Sequence, residues 1–138
     1  MTAQAGDTLI LDGESYTIAS EPLYEYLEQK GIEFTSMSTA CWRGYIATWE
    51  IKKEKLFLTE LEAYVGYYSE VDLSYLFPEK EEIFAEWFSG EIVVPHGNML
   101  QYFHAGYESI YEKEMYLTFE NGVLIERREV NNSDEMKR

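Results

Sequence analysis

Two dipeptides, Asp12-Gly13 and Asn121-Gly122, constrain this chain more than any other feature. Each interrupts a run of apolar and β-branched residues, and each supplies two positions that accept positive φ. That is the requirement of a two-residue hairpin turn. Across the first, Leu11 is set opposite Glu14 and Leu9 opposite Tyr16. Leu9, Leu11, Tyr16 and Ile18 then share one face, while Thr8, Ser15 and Thr17 share the other. Across the second, Phe119 is set opposite Leu124, Thr118 opposite Ile125 and Tyr116 opposite Arg127. The chain is thus expected to begin and end in antiparallel hairpins.

Between them lie strands and short helices. "SEPLYEYLEQKG" predicts a helix of about ten residues, capped by Ser20, with Pro22 in its first turn and Gly31 at its end. From Ile32 to Ala63 the pattern is extended, with a polar turn at "KKEK". "YVGYYSEVDLSYLF" carries too many tyrosines to assign. "FPEKEEIFAEWFSG" predicts a helix opened by Pro78 and ended by Gly90, with Ile83, Phe84, Trp87 and Phe88 as its apolar stripe. "EIVV" predicts a strand halted by Pro95, followed by a turn at "PHGN". Asn98 would cap a third helix, "MLQYFHAGY", weakened by Gly106. The fold class expected is α+β: a mainly antiparallel sheet built from hairpins, with two or three short helices packed on it. A single domain is expected over 1–130, with a mobile polar tail over 131–138.

A hydrophobic fraction of 46% in 138 residues is enough for a core, despite a net charge of −15. No apolar run reaches the roughly 20 residues that span a bilayer. "MTAQAGDT" lacks the basic start and apolar core of a secretory signal. A lone cysteine, Cys41, fits a reducing compartment, so a cytoplasmic protein is expected. The 26 acidic residues, against 11 basic ones, repel phosphate backbones and anionic membranes. They would draw in a basic protein partner.

Chemistry-bearing residues are few. "CWRGYIATWEI", read as a strand, directs Cys41, Arg43, Tyr45, Ala47, Trp49 and Ile51 to one side. Trp42, Gly44, Ile46, Thr48 and Glu50 fall on the other. The structural reading packs Tyr45, Trp49 and Ile51 under a helix, with Gly44 admitting a close neighbour. The functional reading makes Trp42 and Arg43 part of a binding surface. Trp87, His96 and His104 join that candidate set, as do Tyr107, Glu108 and Tyr111 from "HAGYESIYEKE", an acidic and aromatic rim. Cys41 with either histidine matches no nucleophile–base signature. Eight positions separate His96 from His104, which is not metal-ligand spacing on a helix. No catalytic residue, metal or cofactor is therefore assigned.

"WRGYIATWEI", "FAEWFSGEIVVPHG" and "HAGYESIYEKE" together resemble a set of small, mostly bacterial proteins of unassigned function. The resemblance spans roughly Gly6 to Val130, implies one compact domain and carries over no catalytic residue. In size and charge the chain is similar to immunity proteins that neutralise toxins. The expected function is an acidic, non-catalytic binding protein, of immunity or escort type, for a basic partner. The alternative is a small-ligand-binding protein or hydrolase with a carboxylate and aromatic pocket near Trp42, Trp87 or His104. Homo-oligomerisation is left open.

Overall fold

The computed structural model describes residues 6–18, 20–36, 44–66, 69–101 and 110–131; over 96–101, 110–112 and 131 it describes the backbone alone. The first hairpin is β1 (Asp7–Leu11) and β2 (Glu14–Ile18), in the register the turn dictates: Leu11 faces Glu14 and Leu9 faces Tyr16. Helix α1 (Tyr24–Lys30) follows, and then a second hairpin of β3 (Tyr45–Lys52) and β4 (Lys55–Val65). Its two-residue turn is Lys53-Glu54, both at positive φ (50° and 64°). Neither residue advertises that conformation, which is why the sequence did not reveal the turn type.

Strand β5 (Ser69–Val71), helix α2 (Leu73–Leu76) and strand β6 (Ile83–Phe84) lie against β4 or beside it. The chain ends in a meander of β7 (Gly90–Gln101), β8 (Ile110–Glu120) and β9 (Val123–Asn131). The strand order is β2-β1-β3-β4-β9-β8-β7, antiparallel except where β1 runs parallel to β3. Two halves of the sheet are joined by strand pairing at a corner where two turns abut. There Lys55 pairs with Val123, Leu56 N–H donates to Gly122 O at 2.9 Å, and Leu124 N–H donates to Glu54 O at 2.8 Å. At the other extreme, β2 packs against β7. Ser20 ties the chain leaving β2 to β7: its hydroxyl donates to Glu91 O (3.4 Å) and accepts from Val93 N–H (3.3 Å). The sheet thereby curls round one buried face, formed by Leu9, Tyr45, Ala47, Trp49, Leu58, Ile92, Leu117 and Phe119 among others.

Several expectations need correction. Ser20 does not cap α1, whose N-terminus carries no side-chain cap; its hydroxyl serves β7 instead. Gly31 does end the helix, at φ 67°, with Gly31 N–H on Glu28 O and Ile32 N–H on Leu27 O. The helix expected from Pro78 to Phe88 does not form. Glu79 sits at positive φ (66°), and Ile83 and Phe84 pair with Leu58 and Phe57. Ala85 N–H donates to Leu56 O, and Phe88 O accepts from Gly122 N–H. The supposed stripe is dispersed: Phe84 lies against Phe57, Phe88 against Phe119, and Trp87 against Tyr26 and Phe77. Backbone partners from the corner outcompete local helix propensity, which is only a weak prior. The helix α2, in the stretch that resisted assignment, takes its N-cap from Asp72.

Pro95 does not halt its strand. It sits in β7, the terminal strand of the path, where a missing N–H is tolerated. Strand β7 runs on through the expected "PHGN" turn, with register shifts after His96 and Met99. Met99–Gln101, expected in the third helix, are strand; the remainder of that helix lies outside the described residues. The last hairpin starts in the expected register, Phe119 with Leu124, and then slips by one. Ile125 is an extra residue, so Thr118 faces Glu126 and Tyr116 faces Arg128. Asn131 still pairs with Lys113, and the rest of the expected tail lies outside the described residues.

Candidate functional site

The aromatic segment around β3 is core along one face. Tyr45, Ala47 and Trp49 are buried and Ile51 partly so, as the alternation predicts. Gly44, at φ 78°, lies so close to the Thr35 carbonyl that a Cβ there would collide with it. Trp49 is tied to a feature the sequence did not disclose. Asp7, fully buried at 0% exposure, accepts from Trp49 Nε1–H at 2.9 Å through one oxygen and from Ala47 N–H at 3.0 Å through the other. A buried acid is costly unless its oxygens are hydrogen-bonded. Here it links the start of β1 to the centre of its parallel neighbour.

Of the candidate binding residues singled out in the sequence, the structure describes Trp87 with its side chain and His96 and Tyr111 by their backbone. Trp87 is half-buried; it stacks on Phe77 (ring centroids 6.3 Å apart, 10° between planes), touches Tyr26 and Trp49, and donates its indole N–H to Pro22 O at 2.8 Å. That places it as a plug between α1 and the sheet. His96 and Tyr111 stand on adjacent strands, opposite Lys113 and Met99 respectively. Cys41, Trp42, Arg43, His104, Tyr107 and Glu108 lie outside the described residues.

Among the clefts of the described surface, three are lined in part by charged side chains. One of about 430 Å³ lies over β3 and β4 beside α2, with Glu60, Glu62, Asp72 and Lys80 on its walls. Asp72 there is committed to the helix: its carboxylate accepts from Ser74 Oγ–H (2.6 Å) and Ser74 N–H (3.0 Å), which hold its pKa below the ordinary aspartate value. A second, of about 360 Å³, lies between the β1–β2 turn and β9, and is crossed by an ion pair from Arg127 to Asp12 at 3.4 Å.

The third, of about 320 Å³, was not anticipated from the sequence. Its floor is Leu27, Ile32, Phe34 and Tyr45, and its rim is Glu21, Tyr24, Glu28 and Glu33. The groove exists because of how α1 ends. The paired hydrogen bonds at Gly31 reverse the chain, and Ile32–Phe34 fold back along the helix. Thr35 N–H then anchors the segment on Tyr64 O at 2.7 Å. Phe34 meets Tyr45 edge-on at 5.7 Å and approaches Tyr75 at 6.2 Å. Tyr24 is 57% exposed; its hydroxyl is hydrogen-bonded to Glu28, and that bond and the negative charge behind it raise the phenol pKa. The i, i+4 pair of Tyr24 and Glu28 was visible in the sequence; the fold-back that gives it a floor was not.

Charge is distributed unevenly. Among the described residues, Asp7 is the one acidic side chain in the core, and the remaining acids are exposed or half-exposed. Several bases are engaged with acids of the same surface: Lys52 with Glu82, Lys113 with Glu129, Arg127 with Asp12 and Arg128 with Glu91. Among the described residues no group of three or more His, Cys, Asp or Glu is placed to hold a metal ion. No described helix is long and apolar enough to cross a membrane. The chain matches no protein-family model, no curated protein and no solved structure, so its function is argued from this geometry.

Proposed function

We propose that this protein is an acidic binding protein that docks a basic protein partner, in the manner of an immunity or escort protein, and does so in the cytoplasm. The observation that supports this reading is the separation of charge from core. Rings and aliphatic side chains fill the curled sheet, while carboxylates outnumber bases on the outside and part of the basic complement is paired there. Such a surface accelerates encounter with a cationic partner and does so less as salt screens it, over a Debye length of about 10 Å at 0.1 M. The likeness in size and charge to immunity proteins points the same way.

The test is affinity capture from a lysate of the source cells at low and moderate ionic strength, followed by titration with the purified partner. The expected partner carries net positive charge, and its association rate falls as salt is added. Recovery of no partner with that salt dependence would sink the proposal.

A further inference from the structure

We propose that the outer edge of β9 pairs with the same strand of a second copy of this chain, joining two sheets across a two-fold axis. This goes beyond the binding function proposed above and does not depend on it. Strand β9 is paired with β8 without a break in register from Glu126 to Asn131. On its other side its strand partner is β4, at Val123, and the last bond there is Leu124 N–H on Glu54 O. Among the described residues no strand covers that side from Ile125 onward. An edge of this kind presents a row of N–H and C=O groups to any strand that fits it. The edge of β7 is interrupted by comparison, with Pro95 in the strand and register shifts after His96 and Met99.

The side chains favour a copy of β9 as the incoming strand. Glu126, Arg127, Arg128 and Glu129 are exposed and together carry no net charge, on a chain whose total is −15. An antiparallel pair with its two-fold axis at Arg128 sets Arg127 of each copy opposite Glu129 of the other. Opposite charges so placed support a cross-strand pair, whereas like charges oppose it. Isologous contacts of this type close as a dimer and do not propagate. Val130 of each copy falls opposite Glu126 of the other, beside the cleft of about 360 Å³ that Leu124 and Ile125 help to line. Ile125, the extra residue of the bulge, is 58% exposed and would gain cover there. The two Arg128 side chains meet at the axis, but each lies over its own Tyr116 ring, 4.2 Å from the centroid, and 3.8 Å from Glu91. The existing pairs of Arg127 with Asp12 (3.4 Å) and Lys113 with Glu129 (4.0 Å) are exposed, so rearranging them costs little.

The test is sedimentation of the full chain from low micromolar to roughly millimolar concentration. Salt is held at about 0.15 M, where a Debye length of about 8 Å screens the repulsion between two acidic chains. So short a contact buries less than the roughly 1,200 Å² of a standard interface, and a weak, concentration-dependent dimer is expected. Amide exchange at residues 126–130 should slow as the dimer fills, while exchange in β1 and β3, inside the sheet, should not change. R127E turns both cross-strand pairs acidic and E129R turns both basic, so each alone should weaken the dimer at least about tenfold. Mixed in equal amounts, the two variants regain complementary pairs and should form a heterodimer at least as tight as the wild-type dimer. A variant weakened only by misfolding would not be rescued in this way.

A monomer throughout the concentration range, a dimer without slowed exchange at 126–130, or variants that mixing does not restore would each overturn the assignment. Slowed exchange at 126–130 only in the presence of a captured basic partner would give the edge to that partner and overturn pairing with a copy.

Discussion

Replacing Asp7 should be among the most damaging single changes to the fold, although the residue is a polar one near the start of the chain. Its carboxyl group accepts from two buried donors on β3, Ala47 N–H at 3.0 Å and Trp49 Nε1–H at 2.9 Å. A buried donor that loses its acceptor incurs the desolvation penalty in full, roughly 1–3 kcal/mol each. Asp7→Ala strands both donors, so the expected loss is about 3–5 kcal/mol. That is a large fraction of the 5–15 kcal/mol by which a domain is typically stable. With a urea m-value of about 2 kcal/mol/M, the midpoint should fall by roughly 2 M.

Asp7→Asn retains the shape and one acceptor oxygen but turns an amide N–H2 toward a donor. It should cost about half as much and remains measurable if the alanine variant does not fold. Unfolding followed by far-UV circular dichroism avoids the change in tryptophan signal. A double-mutant cycle of Asp7→Asn with Trp49→Phe should return a coupling of about 1–2 kcal/mol. A midpoint for Asp7→Ala within about 0.5 M of wild type, at unchanged slope, would refute the assignment of Asp7 as the tie between β1 and β3.

Other outcomes follow from the same geometry. Lys53 and Glu54 occupy left-handed conformations that cost L-residues roughly 1 kcal/mol each, so K53N/E54G should raise stability by about 1 kcal/mol in urea titration. Gly122→Ala should destabilise far more than Gly13→Ala. Both glycines have φ 82°, but a Cβ at 122 would stand 2.5 Å from Ala85 O, whereas at 13 it meets nothing; the difference is expected to be at least about 1 kcal/mol. Trp87→Phe should cost about 1 kcal/mol for the lost bond to Pro22 O, and Trp87→Ala about 3 kcal/mol or more, both read by thermal melts. The Asp72 carboxyl should titrate below an ordinary aspartate, and Ser74→Ala should bring it back up in an NMR titration. Because the folded pKa is depressed, whatever Asp72 adds to stability is present above the unfolded value and is lost as pH falls through the folded one.

The sequence by itself determined the hairpins and their faces. Asp12-Gly13 and Asn121-Gly122 are local chemistry: two residues that tolerate positive φ fix the turn, the turn sets the register throughout the first hairpin and for the pairs next to the turn in the last, and a period of two selects the buried side of the first. The burial of Tyr45 and Trp49 was legible for the same reason, as was the end of α1 at Gly31. Tertiary structure decided what depends on partners distant in the chain. The segment around Ile83 to Phe88 has the periodicity of a helix, but Leu56, Phe57 and Gly122 offer its backbone and rings better company than its own turns do. The one-residue slip at Ile125, the passage of β7 through Pro95 and the pairing of Asp7 with Trp49 likewise arise from contacts across the sheet. The groove belongs to this second class. Its acids and rings are all visible in the sequence, yet only the reversal after Gly31 and the hydrogen bond from Thr35 to Tyr64 bring them round a common floor. Alternation and turn propensity are properties of neighbours along the chain, whereas a cleft is a property of neighbours in space.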